Sequence, residues 1–257
     1  MKRYSFVILL TISTIAFQTP AHAKQYVKYS FDGSVGDLTD NSGLLGPYDD
    51  STTYTLTYLA DFSTGLFSVG AGGFGGAQSL FGGSSFPPED FNPTIQFSPV
   101  SAVLSINGHD LAFSGSYLGS VSYIYNTFDI MFGGTGQSWA EFQAQDGDPA
   151  SVSNIFTRID SDVFETFGAT GLDDPLDLVI DGVHITGGTD FSYYLPTLKT
   201  TAPSISGHLE LDRFRVSVVD LPPVPEPATW ALMIGGYGLA GAALRRRKRR
   251  PFPTCAG

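Results

Sequence analysis

Val103-Leu104-Ser105-Ile106-Asn107-Gly108-His109-Asp110-Leu111-Ala112-Phe113 is the stretch that decides the fold. Two short apolar runs flank Asn-Gly, whose residues tolerate the positive φ that a tight hairpin turn demands. Tyr54–Leu59 has the same period-two character and is rich in β-branched and aromatic residues. A second hairpin is predicted at Leu178-Val179-Ile180 and Val183-His184-Ile185 around Asp181-Gly182. A third pair is predicted from Val121–Tyr125 and Phe128–Phe132. Tyr26–Phe31 reads as an opening strand and Arg213–Val219 as a closing one. Many short strands between turn signals predict an all-β domain over residues 24–220, an antiparallel β-sandwich. One segment dissents. Val152, Ile155, Phe156, Ile159 and Val163 fall on a helical face, with Asp148 as N-cap and Pro149 in the first turn, which suggests a helix near 149–163. Its Ser, Thr and Asn content weakens that helix.

The 257 residues hold 42% apolar and 15% charged side chains, enough for a packed core. One Cys excludes an intrachain disulfide and a Cys-based zinc site. Residues 24–220 carry six Lys and Arg against 24 Asp and Glu, a balance of −18 that the whole-chain −11 understates. So acidic a region lacks the basic footprint of a nucleic-acid binder.

The ends state where the chain goes. Lys2 and Arg3, the apolar run Phe6–Phe17 and Ala21-His22-Ala23 form the three parts of a secretory signal, residues 1–23, with signal-peptidase cleavage after Ala23. At the other end, Pro222–Pro227 is an extended spacer that cannot be a helix interior. Residues 228–244 are uncharged and contain Gly235, Gly236, Gly238 and Gly241, as a transmembrane helix allows. Arg245, Arg246, Arg247, Lys248, Arg249 and Arg250 follow, and the positive-inside rule keeps them cytoplasmic. Both ends therefore put the central region outside the inner membrane. Plain anchoring and lipid-headgroup contact are the bland alternatives for this tail.

Pro225-Glu226-Pro227-Ala228-Thr229-Trp230-Ala231, the Gly-rich helix and the basic cluster resemble the PEP-CTERM sorting signal over residues 221–250, in its PEPxxWA form. The same tail is also labelled an ice-binding protein C-terminal domain, a label that rests on shared tails and says nothing about ice. The resemblance implies an exosortase as partner, cleavage near Pro-Glu-Pro, and an exopolysaccharide-producing host. It also implies transient inner-membrane anchoring with the C-terminus in the cytoplasm, then release or attachment at the cell surface or in the extracellular matrix. Residues 251–257 are a short cytoplasmic tail that departs from such chains, which usually stop soon after the basic block. The only Cys, Cys255, lies there, so the processed product has none.

The middle names no activity. It has no G-x-S-x-G and no H-E-x-x-H. Gly70-Ala71-Gly72-Gly73-Phe74-Gly75 matches G-x-G-x-x-G by form only, because no helix former or βαβ unit surrounds it. The glycine-rich stretch 65–83 reads as a flexible surface loop. His109, in a turn, His184, on a strand, and His208 each stand alone. No catalytic residue and no required cofactor is expected. Calcium is the one ligand the acidic loops suggest, with Asp146 and Asp148 as weak candidates beside Asp160, Asp162, Asp173, Asp174 and Asp177. Solvated surface charge is the plainer reading of those loops. The leading expectation is a non-enzymatic structural or adhesive protein associated with exopolysaccharide. The alternative is a secreted polysaccharide hydrolase with a carboxylate pair, which would need a cleft with two convergent carboxylates and an aromatic platform.

Overall fold

The computed structural model describes residues 25–72, 74–85, 96–128, 130, 134–147, 153–195 and 203–220. The signal segment 1–23, the sorting segment 221–250, the tail 251–257 and Asp148 lie outside them. Among the described residues no helix is long and apolar enough to cross a membrane. Residues Lys24–Leu221 form one compact unit.

The unit is all-β. Its strands are β1 (Gln25–Asp40), β2 (Thr53–Asp61), β3 (Leu66–Gly72), β4 (Gly75–Gly82), β5 (Val100–Ile106) and β6 (His109–Phe113). Then come β7 (Leu118–Asn126), β8 (Gln137–Asp146), β9 (Ser153–Ser161), β10 (Leu176–Val179), β11 (Ile185–Tyr193) and β12 (Ile205–Asp220). One four-residue helix, α1 (Glu165–Gly168), sits between β9 and β10. The strands run antiparallel in one continuous sheet of order β3-β4-β7-β8-β9-β11-β12-β1-β2-β5-β6, with β10 added on β12.

The expected sandwich of two sheets is thus one sheet curled on itself, with β5 and β6 lying across from β7, β8 and β9. The curl begins in the two longest strands. β1 slips register against β12 at Asp32/Gly33 and again at Val35/Leu38, and such bulges bend and twist a strand. Gly33 is required there: a Cβ would sit 1.9 Å from the Glu210 carbonyl oxygen.

Period-two alternation puts Tyr29, Phe31, Leu56, Tyr58, Val121, Tyr123, Ala140, Phe142 and Phe214 inside, each fully buried. Phe142 is the hub. Its ring centroid lies 5.0 Å from those of Tyr29 and Phe31 and 5.5 Å from those of Tyr58 and Phe214. The helix contributes Phe167, which packs on Tyr123 at 5.1 Å.

The Asn107-Gly108 hairpin forms as predicted, with φ of 51° and 78°, and His109 is the first residue of β6 opposite Ile106. Four expectations fail. The helix near 149–163 is replaced over its described part by β9. Its inward residues are Ser153, Ile155, Thr157, Ile159 and Ser161, while Phe156 faces outward. Polar side chains inside and an aromatic outside hide the strand period. Thr157 is tolerated in the core because its hydroxyl bonds to those of Tyr58 at 3.0 Å and Thr189 at 2.8 Å. The Asp181-Gly182 hairpin does not form: β10 pairs with β12 rather than β11. Asp181 instead accepts the amides of Val183, His184 and Ile185, which places His184 in a loop before β11. Of the predicted strand 128–132 only Phe128 and Ile130 are described, and neither pairs with β7, whose neighbours are β4 and β8. Finally, the glycine-rich stretch 65–83 is the β3–β4 hairpin.

Candidate functional site

Trp139 stands on the outer face of β8, between Ile124 of β7 and Asp160 of β9 in the ladder. It helps line a cleft of about 360 Å³ together with Arg158, Asp160, Asp162 and His184. Strand alternation delivers Trp139 and Glu141 from β8, and Arg158 and Asp160 from β9, to this one face. Arg158 knits them together. Its guanidinium carbon lies 5.4 Å from the Trp139 ring centroid. Nε donates to both Asp160 oxygens at 3.0 Å, Nη2 to Asp160 at 2.7 Å and Nη1 to Glu141 at 3.1 Å. Fork-shaped pairing of this kind holds orientation as well as charge. The indole is therefore held in place before any ligand arrives.

At the rim, His184 Nδ1 lies 2.8 Å from Asp162 Oδ2. That hydrogen bond raises the imidazole pKa above its ordinary value. Asp160, near the end of β9, and Asp162, in the bend just after it, both line the cleft. Asp160 meets the Arg158 guanidinium and Asp162 the His184 imidazole.

Among the described residues the other acidic positions read from the sequence do not gather into one site, although the neighbours Asp173 and Asp174 both face Gly171. Asp146 ends β8 and fastens the 114–116 turn. It accepts Ser114 N at 2.7 Å, Ser114 Oγ at 2.6 Å and Ser116 N at 3.1 Å. Asp174 accepts Gly171 N at 2.6 Å, and Asp177 accepts Arg213 Nε at 2.7 Å. His208 sits on Asp190 at 2.8 Å, away from His109 and His184. Among the described residues no group of three or more His, Cys, Asp or Glu could hold a metal ion.

Asp146 yields a clear expectation. Asp146→Asn removes charge-assisted bonds and costs about 1–3 kcal/mol. The melting temperature falls equally in CaCl₂ and in NaCl of matched ionic strength. Calcium raising the wild-type melting point but not the variant's would instead assign Asp146 a metal role.

A second groove, of about 510 Å³, lies over β1, β10 and β12 and is lined by Lys28, Ser30, Asp177 and Arg215 among others. It offers no aromatic face. Its charges are largely spent internally, on the Asp177–Arg213 and Asp32–Arg215 pairs.

Beyond the folded unit, residues 223–248 match the family model of the PEP-CTERM protein-sorting motif. The chain carries a PEP-CTERM sorting signal. This signal implies export, an exosortase as processing partner, and membrane-held sorting before the cell surface. It contains Pro225, Glu226, Pro227, Trp230 and Ala231 and the basic residues from Arg245 to Lys248; Arg249 and Arg250 fall just past the matched span. No curated protein and no solved structure matches the chain.

Neither Trp139 nor Arg158 was singled out from the sequence. The available signal was the alternation Ser138, Ala140, Phe142, Ala144 inward against Trp139, Glu141, Gln143 outward. Small and polar residues on both faces blurred it.

Proposed function

We propose that the folded unit is a non-enzymatic surface or matrix protein that contacts exopolysaccharide through the Trp139 cleft. In this reading the signal peptide leaves after Ala23, the basic cluster stays cytoplasmic, and an exosortase cuts near Pro225-Glu226-Pro227. The observation that carries the ligand assignment is the Trp139 ring held by Arg158 in a cleft edged by Asp160, Asp162 and His184. A sugar ring has an apolar C–H face and an equatorial belt of hydroxyls. An indole matches the first, and fixed carboxylates and imidazole match the second. A neutral polymer suits the site better than an anionic one, because a unit at −18 repels polyanions. The hydrolase alternative needs two carboxylates free to act on one bond, whereas Asp160 is engaged by Arg158 and Asp162 by His184.

The test is co-sedimentation of the exported unit with exopolysaccharide from the producing cells. Trp139→Ala should weaken binding at least about tenfold, roughly 1.4 kcal/mol, while a half-exposed outer-face position leaves the fold intact. Equal retention of both proteins removes the cleft from the interaction. Shortening of the polymer during incubation would favour the hydrolase.

A further inference from the structure

A seven-residue strand at the end of the sheet lacks the features that normally block pairing. β3 has a single strand partner, β4, and among the described residues no strand pairs with the other side of its backbone. Exposed edges of this kind usually carry charge, proline or a bulge. Leu66-Phe67-Ser68-Val69-Gly70-Ala71-Gly72 carries none, and residues 62–88 contain no charged residue in a unit at −18.

The face of this edge is apolar as well. Phe67 and Val69 lie in register with Leu80 and Gln78, which pair in turn with the core residues Val121 and Tyr123. They stand on the core side of the sheet, yet are 48% and 66% exposed. The ring of Phe62 lies 6.1 Å from that of Phe67 and extends the patch. The other strands with one partner differ: β6 carries Asp110 and β10 carries Asp177.

We infer that the β3 edge pairs with the β3 edge of a second copy. Open amides and carbonyls call for a strand, and the exposed Phe67 and Val69 call for an apolar partner. Between two acidic units, repulsion is least where both are neutral, and salt screens the remainder over about 8 Å. A two-fold axis perpendicular to the sheet keeps the core-side face of each copy on the same side. A register centred on Val69 sets Val69 against its copy and Phe67 against Ala71, merging two apolar strips into one. The contact is small, so the dimer is reversible in solution. Crowding on a surface or in a matrix raises the effective concentration and turns weak pairing into cohesion.

Sedimentation equilibrium of the exported unit, which has its own core, tests this. We expect a monomer–dimer equilibrium with Kd on the order of 10–100 μM. Val69→Lys sets two ammonium groups opposite each other and should weaken it at least about tenfold. Val183→Lys adds the same charge at a 74% exposed loop site and should leave the dimer unchanged. Hydrogen exchange on the unaltered unit gives a second reading: the amides of residues 66–72 should gain protection as concentration rises. A monomer at every concentration up to about 1 mM, or a dimer indifferent to Val69→Lys, overturns the inference.

Discussion

In cells lacking the exosortase, the chain should be retained in the inner membrane as a form longer by the roughly 30 residues that follow Pro227. Three physical features of the tail combine to produce this outcome. As the helix their sequence predicts, residues 228–244 would span about 26 Å at 1.5 Å per residue, just short of a hydrocarbon core of about 30 Å. The six basic residues after it would stop transfer, since each costs about 2.5–3.5 kcal/mol at the bilayer centre. The proline-rich spacer before it cannot continue a helix, and its composition favours extended chain that an enzyme could reach. Cutting there would separate the folded unit from the apolar segment 228–244. The effect is all-or-none, which makes it the largest expected for any single change. Alanine in place of Pro225, Glu226 and Pro227 should reproduce the retained form in cells that possess the enzyme. Fractionation with C-terminal peptide mapping reads both results. A chain whose size and location are the same with and without the exosortase is merely anchored.

The tail could be read directly because a linear signal is recognised as sequence, before and apart from folding. The curled sheet was legible wherever a local rule decides structure. Asn107-Gly108 forms its turn because both residues accept positive φ, and β1, β2 and β12 keep apolar residues on one face. Legibility failed where tertiary context overrides local pattern. β9 buries Ser153, Thr157 and Ser161 and exposes Phe156, so its apolar residues imitate a helix. Residues 66–82 form a hairpin whose glycines read as a loop, because pairing with β7 supplies what intrinsic propensity does not. The cleft was illegible for a different reason. Trp139 meets Arg158 and Asp160 only through the β8–β9 register, which pairs residues about twenty apart and has no local signature.

Above about pH 10 the folded unit should lose stability steeply and unfold within roughly one to three pH units. Burial raises the pKa of Tyr29, Tyr54, Tyr58 and Tyr123, most strongly by withholding the solvation that a phenolate needs. Tyr29 donates to the Leu172 carbonyl at 2.7 Å, so its ionisation would also place a negative oxygen against a carbonyl. The hydroxyls of Tyr54 and Tyr123 have no hydrogen-bond partner among the described residues. Below pH 10 the four phenols are neutral whether the chain is folded or unfolded, and they contribute no pH dependence. Above it, the unfolded chain releases protons that the folded chain keeps, so stability falls as pH rises. Each phenol contributes about 1.4 kcal/mol per pH unit and the four together about 5, which is the whole stability of many domains. Tyrosinate absorbance should therefore rise first for the accessible tyrosines. A second, cooperative rise should then coincide with loss of circular dichroism. Tyr123→Phe separates this cause from general charge repulsion. It keeps the ring contacts with Phe142 and Phe167 while deleting an unpartnered hydroxyl. It should raise stability at neutral pH by about 1 kcal/mol and reduce the alkaline slope by about a quarter. Tyrosines that all titrate near pH 10 with circular dichroism unchanged would show that these phenols reach water without unfolding.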